Sequence, residues 1–388
     1  MSDELLLNIL HYVPKTQLYD LCLIPAFHGA ATELLYGSCE RKSELHCSPL
    51  RTIITCPTLA VLVEEVIAGC NHISQPYNNE DMRVFIAGLR DMGMATPEKI
   101  EWSSQIQQED QRAELALLLC HTPNIRRLVV GNQLEAPPSL CMDVPRPPLW
   151  LQLLNRATQE PRPAWMPSFH KLQSIVISLL AGMTSATIFS LLGLPGLRKL
   201  RLINAGGSGI EFGSSHLYHA PLLSLRSSVS ELELEDGYFD ASFISDLIIS
   251  CGALRHFSYS TDDWRSVSHL HGSKIGDAIR RHQKTLETFT LVSTSDIWPR
   301  HGNSTLEHCE PLGSLQAFER LAHISCESDM LLGVTNRLRL QDVLPGSIQT
   351  VALELPDCTH VSGGQRSFCH GNWWTEAITW ILVAVQEK

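Results

Sequence analysis

The sequence predicts an α/β protein in which three short N-terminal helices precede an irregular solenoid of parallel strands and interleaved helices. Two observations lead to this fold class. Residues 1–37 contain three apolar, helix-like stretches separated by prolines. A motif of the form apolar-x-x-apolar-x-apolar then recurs along most of the 388-residue chain, with helix-like segments between its copies.

The first predicted helix carries one apolar stripe. Asp3 and Glu4 lie in its first turn, where the helix dipole favours negative charge, and Pro14 ends it. The apolar positions follow the helical period and are Leu5, Leu6, Ile9, Leu10 and Val13. A secretory leader would begin with basic residues and an uninterrupted apolar core, so this segment is expected to fold instead.

Two further helices are expected before residue 38. Thr16 can cap the second helix, Pro25 suits the first turn of the third, and Gly37 can end it. A unit of this size buries its apolar surface poorly when it stands alone. It is therefore expected to dock either on the rest of the chain, as a helical cap, or on another protein.

The stretch DELLLNILHYVPKTQLYDLCLI, followed by FHGAATELLY, resembles the F-box, the adaptor-binding module of SCF-type ubiquitin ligases. Its LLY ending is similar to that of many fungal F-box proteins. The resemblance implies binding to a Skp-type adaptor and, through that adaptor, to a cullin. The residues implied for this contact are Leu5, Leu6, Ile9, Leu10, Pro14, Leu18 and Leu21, although some of them must hold the helices together. The F-box pattern usually starts with Leu-Pro, whereas this chain has Met1-Ser2.

The recurring motif predicts strands with one buried face, because its last apolar positions alternate with polar ones. Its eight copies are IRRLVV from Ile125, LQSIVI from Leu172, LRKLRL from Leu197, VSELEL from Val229, LRHFSY from Leu254, LETFTL from Leu286, LAHISC from Leu321 and IQTVAL from Ile348. A possible ninth copy is VEEVIA, from Val63.

These copies resemble the degenerate leucine-rich repeats that often follow an F-box, which implies a stacked solenoid. Strict repeats place Asn or Cys after the last apolar residue, but Ala205, Gly237 and Thr294 stand there in three copies. The turns are therefore expected to be held by varied local contacts, and the curvature is expected to be uneven. The alternative is an ordinary βαβ domain with a flat parallel sheet.

Four segments follow from this interpretation: a helical module over 1–37, a linker over 38–57, a solenoid over 58–357, and a loop with a capping helix over 358–388. The apolar run in the last segment is shorter than the ~20 residues that a bilayer span needs. Since phosphate binding needs clustered basic residues, a net charge of −11 argues against nucleic acid as a partner. The twelve cysteines form no CxxC pair, so we expect free thiols in the cytoplasm or nucleus.

A proline-rich insertion is expected within the solenoid, over residues 136–167. It contains one short amphipathic helix in PLWLQLLNRA. The insertion is either an inert excursion or a recognition loop that presents Trp150 and Trp165, since tryptophan is enriched at interface hot spots.

Motifs for catalysis are missing from the sequence. It contains no GxSxG, P-loop, HExxH or EF-hand pattern. Four soft ligands, Cys358, His360, Cys369 and His370, lie close together, but their spacing matches no common zinc site. We therefore expect no cofactor, no metal and no catalysis by this chain. The substrate receptor of a ubiquitin ligase needs no catalytic residue, because it holds a substrate lysine near the conjugating enzyme.

A protein substrate would bind the outward-facing strand residues of the solenoid. These are Arg127, Lys199, Arg201, Glu231, Glu233, His256, Thr288, His323 and Thr350. The opposite charges on neighbouring copies either pair with each other or form a split-charge binding patch. The alternative function is a non-catalytic repeat scaffold whose N-terminal helices only cap the solenoid.

Overall fold

The structure, a computed structural model, contains two units, which comprise residues 1–198 and 199–388. It describes residues 3–41, 48–69, 78–108, 110–131, 147–159, 161–179, 183–203, 227–235, 239–261, 271–293, 310–333 and 339–354. The predicted segment 358–388 and the four candidate zinc ligands within it lie outside these described residues.

The first unit begins with three helices and continues with strands and helices in alternation. Its helices are α1 (Asp3–Leu10), α2 (Lys15–Leu21), α3 (His28–Gly37), α4 (Ser48–Thr55), α5 (Pro57–Ala60), α6 (Asn79–Asp91), α7 (Thr96–Gln107), α8 (Gln111–His121), α9 (Leu149–Ala157) and α10 (Ser185–Leu191). Its strands are β1 (Ser38–Arg41), β2 (Glu65–Ala68), β3 (Arg127–Val130) and β4 (Ser174–Ser178). They pair in parallel and in chain order, with Glu65 opposite Arg127 and Arg127 opposite Ser174.

The second unit repeats this arrangement. Its strands are β5 (Lys199–Ile203), β6 (Glu231–Glu235), β7 (His256–Thr261), β8 (Thr288–Ser293), β9 (His323–Glu327) and β10 (Thr350–Glu354). Its helices in the described residues are α11 (Ala241–Ser250), α12 (Gly272–Arg280), α13 (Ser328–Leu332) and α14 (Leu340–Val343). The six strands again pair in parallel and in chain order.

One face of each sheet is buried along most of its strands, and β4 is buried at the four consecutive positions 175–178. Leu200 and Leu202 of β5 are buried between partly exposed neighbours, and Phe257 and Tyr259 of β7 repeat the pattern. A doubly wound sheet would be covered on both faces and would reverse its strand order. The α/β class with parallel strands is thus confirmed, and each unit is solenoid-like.

All eight motif copies coincide with strands, β3 to β10, and the possible ninth copy coincides with β2. Within the segment that the sequence assigned to a linker, residues 38–41 form β1, and α4 and part of α5 follow. The helix expected in the proline-rich insertion is α9, but it is buried rather than exposed. Its apolar face packs between neighbouring helices, and Trp150 is fully enclosed.

Side-chain caps start several of the repeat helices. The side chain of Asn78 accepts the N–H of Asp81 at 2.7 Å, and that of Asp240 accepts the N–H of Phe243 at 2.7 Å. Such caps satisfy N–H groups that have no partner within the helix. They set where each helix leaves the preceding loop and returns across the sheet.

The turns between repeats are held by different side chains in different copies. Thr285 Oγ1 donates to the Leu254 carbonyl at 2.8 Å, and Ser347 Oγ donates to the Leu321 carbonyl at 2.9 Å. In the first unit, Asn124 Nδ2 donates to the Val61 carbonyl at 2.6 Å. These bonds lie before the strands, whereas the turns that the sequence expected to be irregular, at Ala205, Gly237 and Thr294, follow the strands and lie outside the described residues.

The buried imidazole of His282 adds a bond to each of two neighbouring elements. Its Nδ1 accepts the N–H of Leu254 at 3.3 Å, and its Nε2 donates to the Ile248 carbonyl at 2.9 Å. The bond that Nδ1 accepts requires the neutral ring, whereas the bond that Nε2 donates is compatible with either charge state. Burial lowers the pKa of His282 below its ordinary 6.5, and the charge of Arg281 lowers it further, against the opposing hydrogen bond to Ile248.

Acidification is predicted to weaken the fold through His282. Its folded pKa lies below the unfolded value, so its contribution is complete above 6.5 and is lost as the pH falls below that value. Chemical unfolding between about pH 8 and about pH 5.5 checks this, with His282→Gln as the comparison. The stability gap between wild type and variant should shrink as the pH falls, and parallel curves would contradict the prediction.

Helix α12 approaches the segment 310–312 closely because it has glycine where the two backbones meet. A Cβ at Gly276 would overlap the Leu312 carbonyl, and one at Gly272 would overlap the Glu310 carbonyl. Gly276→Ala is therefore expected to lower the free energy of unfolding by about 1–3 kcal/mol through overpacking.

Urea unfolding of the full chain measures that loss. Gly346→Ala is the matched control, because nothing lies within 4 Å of the added methyl group. The control should unfold at the wild-type urea concentration. Equal urea midpoints for Gly276→Ala and Gly346→Ala would mean that the close approach of α12 to residues 310–312 does not depend on glycine at position 276.

Candidate protein-docking surfaces

The three N-terminal helices have a small core of their own. Leu10, Leu18 and Ala31 are buried in it, and Leu21 and Phe27 pack against them from the sides. Leu6 is buried as well. Three of the seven residues that the resemblance implied for adaptor contact, namely Leu10, Leu18 and Leu21, therefore hold these helices together, and a fourth, Leu6, is buried.

The other three implied residues are exposed. Leu5 and Ile9 are each 50% exposed on α1, and Pro14 is exposed at the start of α2. Tyr12 continues the row of α1 at the spacing i, i+4, i+7 and is 87% exposed. We call Leu5, Ile9 and Tyr12 the α1 row.

A second exposed set begins in α2 and continues just after it. Tyr19 is 60% exposed and Leu23 is 83% exposed, and Ile24 adds a third apolar side chain. We call these three residues the α2 row. Of the eight large apolar side chains exposed in the described residues, six lie in these two rows. Single exposed apolar residues are ordinary, but such a concentration marks a docking surface.

Sequence reasoning missed Tyr12, Tyr19, Leu23 and Ile24. Their signal was present, because Tyr12 extends the helical spacing of Leu5 and Ile9, and Leu23 lies one turn after Tyr19. The first two helices have more apolar positions than their common core can bury, which indicates that a second side of each helix is apolar and exposed.

The charged residues on the outward face of β5 and β6 pair across the strands. Lys199 Nζ donates to Glu233 Oε1 at 2.6 Å and lies 3.6 Å from Glu231. Arg201 donates to Glu235 at 2.6 Å and lies 3.7 Å from Glu233. The sequence left open whether these charges pair with each other or form a binding patch, and the structure shows that they pair. We call the paired charges of β5 and β6 the charge ladder; the sequence did not predict its member Glu235.

Two further predicted residues also lie beside acidic neighbours. In the first unit, Arg127 forms an ion pair with Glu65 at 2.8 Å. In the second unit, His256 Nε2 lies 3.9 Å from Glu287, whose carboxylate accepts a 2.7 Å hydrogen bond from Arg255. That hydrogen bond keeps the pKa of Glu287 below its ordinary value.

The first two outward positions of β7 to β10 carry no Asp, Glu, Lys or Arg, whereas Glu327 lies at the third outward position of β9. The first two outward positions of these four strands hold His256, Ser258, Thr288, Thr290, His323, Ser325, Thr350 and Ala352. Small hydroxyl and imidazole side chains can donate and accept hydrogen bonds, and they let another backbone approach closely. This half of the face is therefore better suited to contact a polypeptide than the self-paired half.

The two tryptophans proposed for a recognition loop belong to the folded unit. Trp150 is fully buried, so it cannot serve as an interface residue, and Trp165 packs edge-on against Trp102 with ring centroids 6.1 Å apart. Nearby, an open cleft of about 510 Å³ lies between the end of α9 and the turn after α10. Its lining combines Pro161, Pro163 and Pro195 with the polar side chains of Gln159 and Arg162.

The described residues contain no group of three or more His, Cys, Asp and Glu side chains that could hold a metal ion. None of the helices in this part of the chain has the length and apolar content that a membrane span requires. A search of protein-family models and a search of curated proteins each found no match to this chain. The function is therefore argued from the docking surfaces.

Reversing one charge in the ladder is predicted to destabilise the second unit. Lys199→Glu places a third carboxylate beside Glu231 and Glu233, which should cost about 0.5–1 kcal/mol at low salt. Lys199→Met removes the attraction without adding repulsion, so its loss should be smaller. Chemical unfolding at low and high salt checks this, and a Lys199→Glu loss that salt does not reduce would contradict the ladder.

Proposed function

We propose that this chain is the substrate-recognition subunit of an SCF-type ubiquitin ligase. The N-terminal helices would bind a Skp-type adaptor, which joins the chain to a cullin, and the repeats would bind a protein substrate. In this function the three helices are an F-box and the two units carry degenerate leucine-rich repeats. The chain would act in the cytoplasm or nucleus and would catalyse no step itself.

The observation that carries the proposal is that the N-terminal helices have two sets of apolar residues, one buried in their core and one exposed. The inner residues, such as Leu10 and Leu18, form a core for the three helices. The α1 and α2 rows remain exposed although burial of each large apolar side chain is worth about 1.5–3 kcal/mol. A protein partner that covers these rows would recover that free energy, and a Skp-type adaptor is the partner that the sequence resemblance indicates.

The repeats support a receptor role through their outward faces. The ladder of β5 and β6 neutralises itself, whereas β7 to β10 offer hydroxyl and imidazole groups with no fixed charge at their first two outward positions. A polypeptide that covers these first two positions, and not Glu327 at the end of β9, would desolvate no strong charge. Holding a substrate there would place its lysines near the conjugating enzyme of the assembly.

A repeat scaffold without a ligase is the second candidate function. It is favoured by the bonds that join the N-terminal helices to the first sheet, such as the one from Lys15 Nζ to the Ser38 carbonyl at 3.3 Å. A capping role alone would require these bonds. It would not require six exposed apolar side chains.

The double substitution Leu5→Asp with Ile9→Asp tests the proposal. Both side chains are half exposed, so the fold should survive, while burying two carboxylates against an apolar partner should weaken binding more than tenfold. A pull-down of the purified full chain with a Skp-type adaptor measures the effect, and circular dichroism checks that the variant is folded.

Ile100→Asp is the matched control. Ile100 lies on α7 and is 65% exposed, so the control introduces a carboxylate at another exposed apolar position, outside both rows. Wild type and control should bind the adaptor equally. Absence of binding by the wild type, or equal binding by the double variant, would reject the ligase and favour the scaffold.

A further inference from the structure

The third helix of the N-terminal module runs directly into the first strand. Helix α3 ends at Gly37 and β1 begins at Ser38, whose backbone is already extended with φ −124° and ψ 113°. No linker separates the helices from the sheet, so the direction of α3 determines how β1 enters the sheet. A module joined in this way cannot turn independently of the strand.

Three hydrogen bonds fix this junction. The Gly37 carbonyl accepts the N–H of Glu64 at 2.9 Å, which continues the β1–β2 pairing into the helix end. Ser38 Oγ donates to Glu65 at 2.9 Å, and Lys15 of α2 donates to the Ser38 carbonyl. Both the second and the third helix therefore contribute to the position of β1.

Strand β1 has the position of an edge strand in the described part of the first unit. It is four residues long and pairs with β2 on one side. Its Cys39 is buried and lines the same small cavity as Leu50, Leu115 and Leu118. A short strand with one buried side chain has little stability of its own, so α3 must help to hold it.

We propose that the three helices perform two functions at once, with the exposed α1 and α2 rows docking a partner while α3 caps the repeat sheet through β1. Docking and order in β1 are then thermodynamically coupled through the shared core of Leu10, Leu18 and Ala31. The docking half of this inference rests on the proposed function, whereas the capping half does not.

Hydrogen exchange of the full chain, without any partner, tests the coupling. Gly29→Ala should stabilise α3, because a methyl group there meets nothing within 4 Å and alanine favours the helix. Exchange in β1 should then slow by roughly two- to threefold. Leu18→Ala opens a cavity in the module core, so it should speed exchange in β1 as well as in the helices.

The exposed variant Ile100→Asp, on α7 and outside the three helices, is the control and should leave exchange in β1 unchanged. If Leu18→Ala unfolds the chain, the exchange rate of β1 in Gly29→Ala still tests the coupling, because that substitution stabilises α3 instead of destabilising it. Coupling is refuted if Gly29→Ala and Leu18→Ala both change exchange in α1 to α3 and leave β1 at the wild-type rate. If the chain binds the adaptor but exchange in β1 does not follow the stability of α1 to α3, the helices are a separate docking module. If exchange in β1 follows it but the chain does not bind the adaptor, the helices only cap the repeat sheet.

Discussion

The structure depends on burying one face of a parallel sheet whose strands follow each other in chain order. Alternate apolar residues of each strand, such as Leu232 and Leu234 of β6, have no cover except the helices of their own and neighbouring repeats. No repeat can bury this face alone, so the repeats must stack. Stacking leaves an end that needs a cap, and the N-terminal helices occupy that position through β1.

The strands were predictable from sequence because their alternation of buried and exposed positions is short and local. LRKLRL and VSELEL coincide with β5 and β6, and the other copies behave in the same way. Strand β1 escaped prediction because SCER has no apolar alternation, and pairing with β2 overrides its weak propensity. Helix α9 was located, but prolines on both sides suggested exposure where tertiary packing encloses Trp150.

The docking surface was predictable in location but not in detail. A helical stripe shows that Ile9 and Leu10 are apolar, yet Ile9 faces outward and Leu10 inward because α1 packs against α3 with one side only. The sheet face shows a similar division. Opposite charges at Lys199 and Glu233 permitted either a binding patch or a ladder, and their 2.6 Å bond follows from strand register that composition does not reveal.

Oxidative footprinting of the wild-type chain with and without a Skp-type adaptor tests the central claim, that the exposed apolar side of the N-terminal helices is a protein-docking surface. Tyr12 and Leu23 are 87% and 83% exposed, and Ile100 provides an internal reference on α7. We predict that the adaptor protects Tyr12 and Leu23 while Ile100 oxidises at its original rate. Unchanged oxidation of Tyr12 and Leu23 under saturating adaptor would contradict the account.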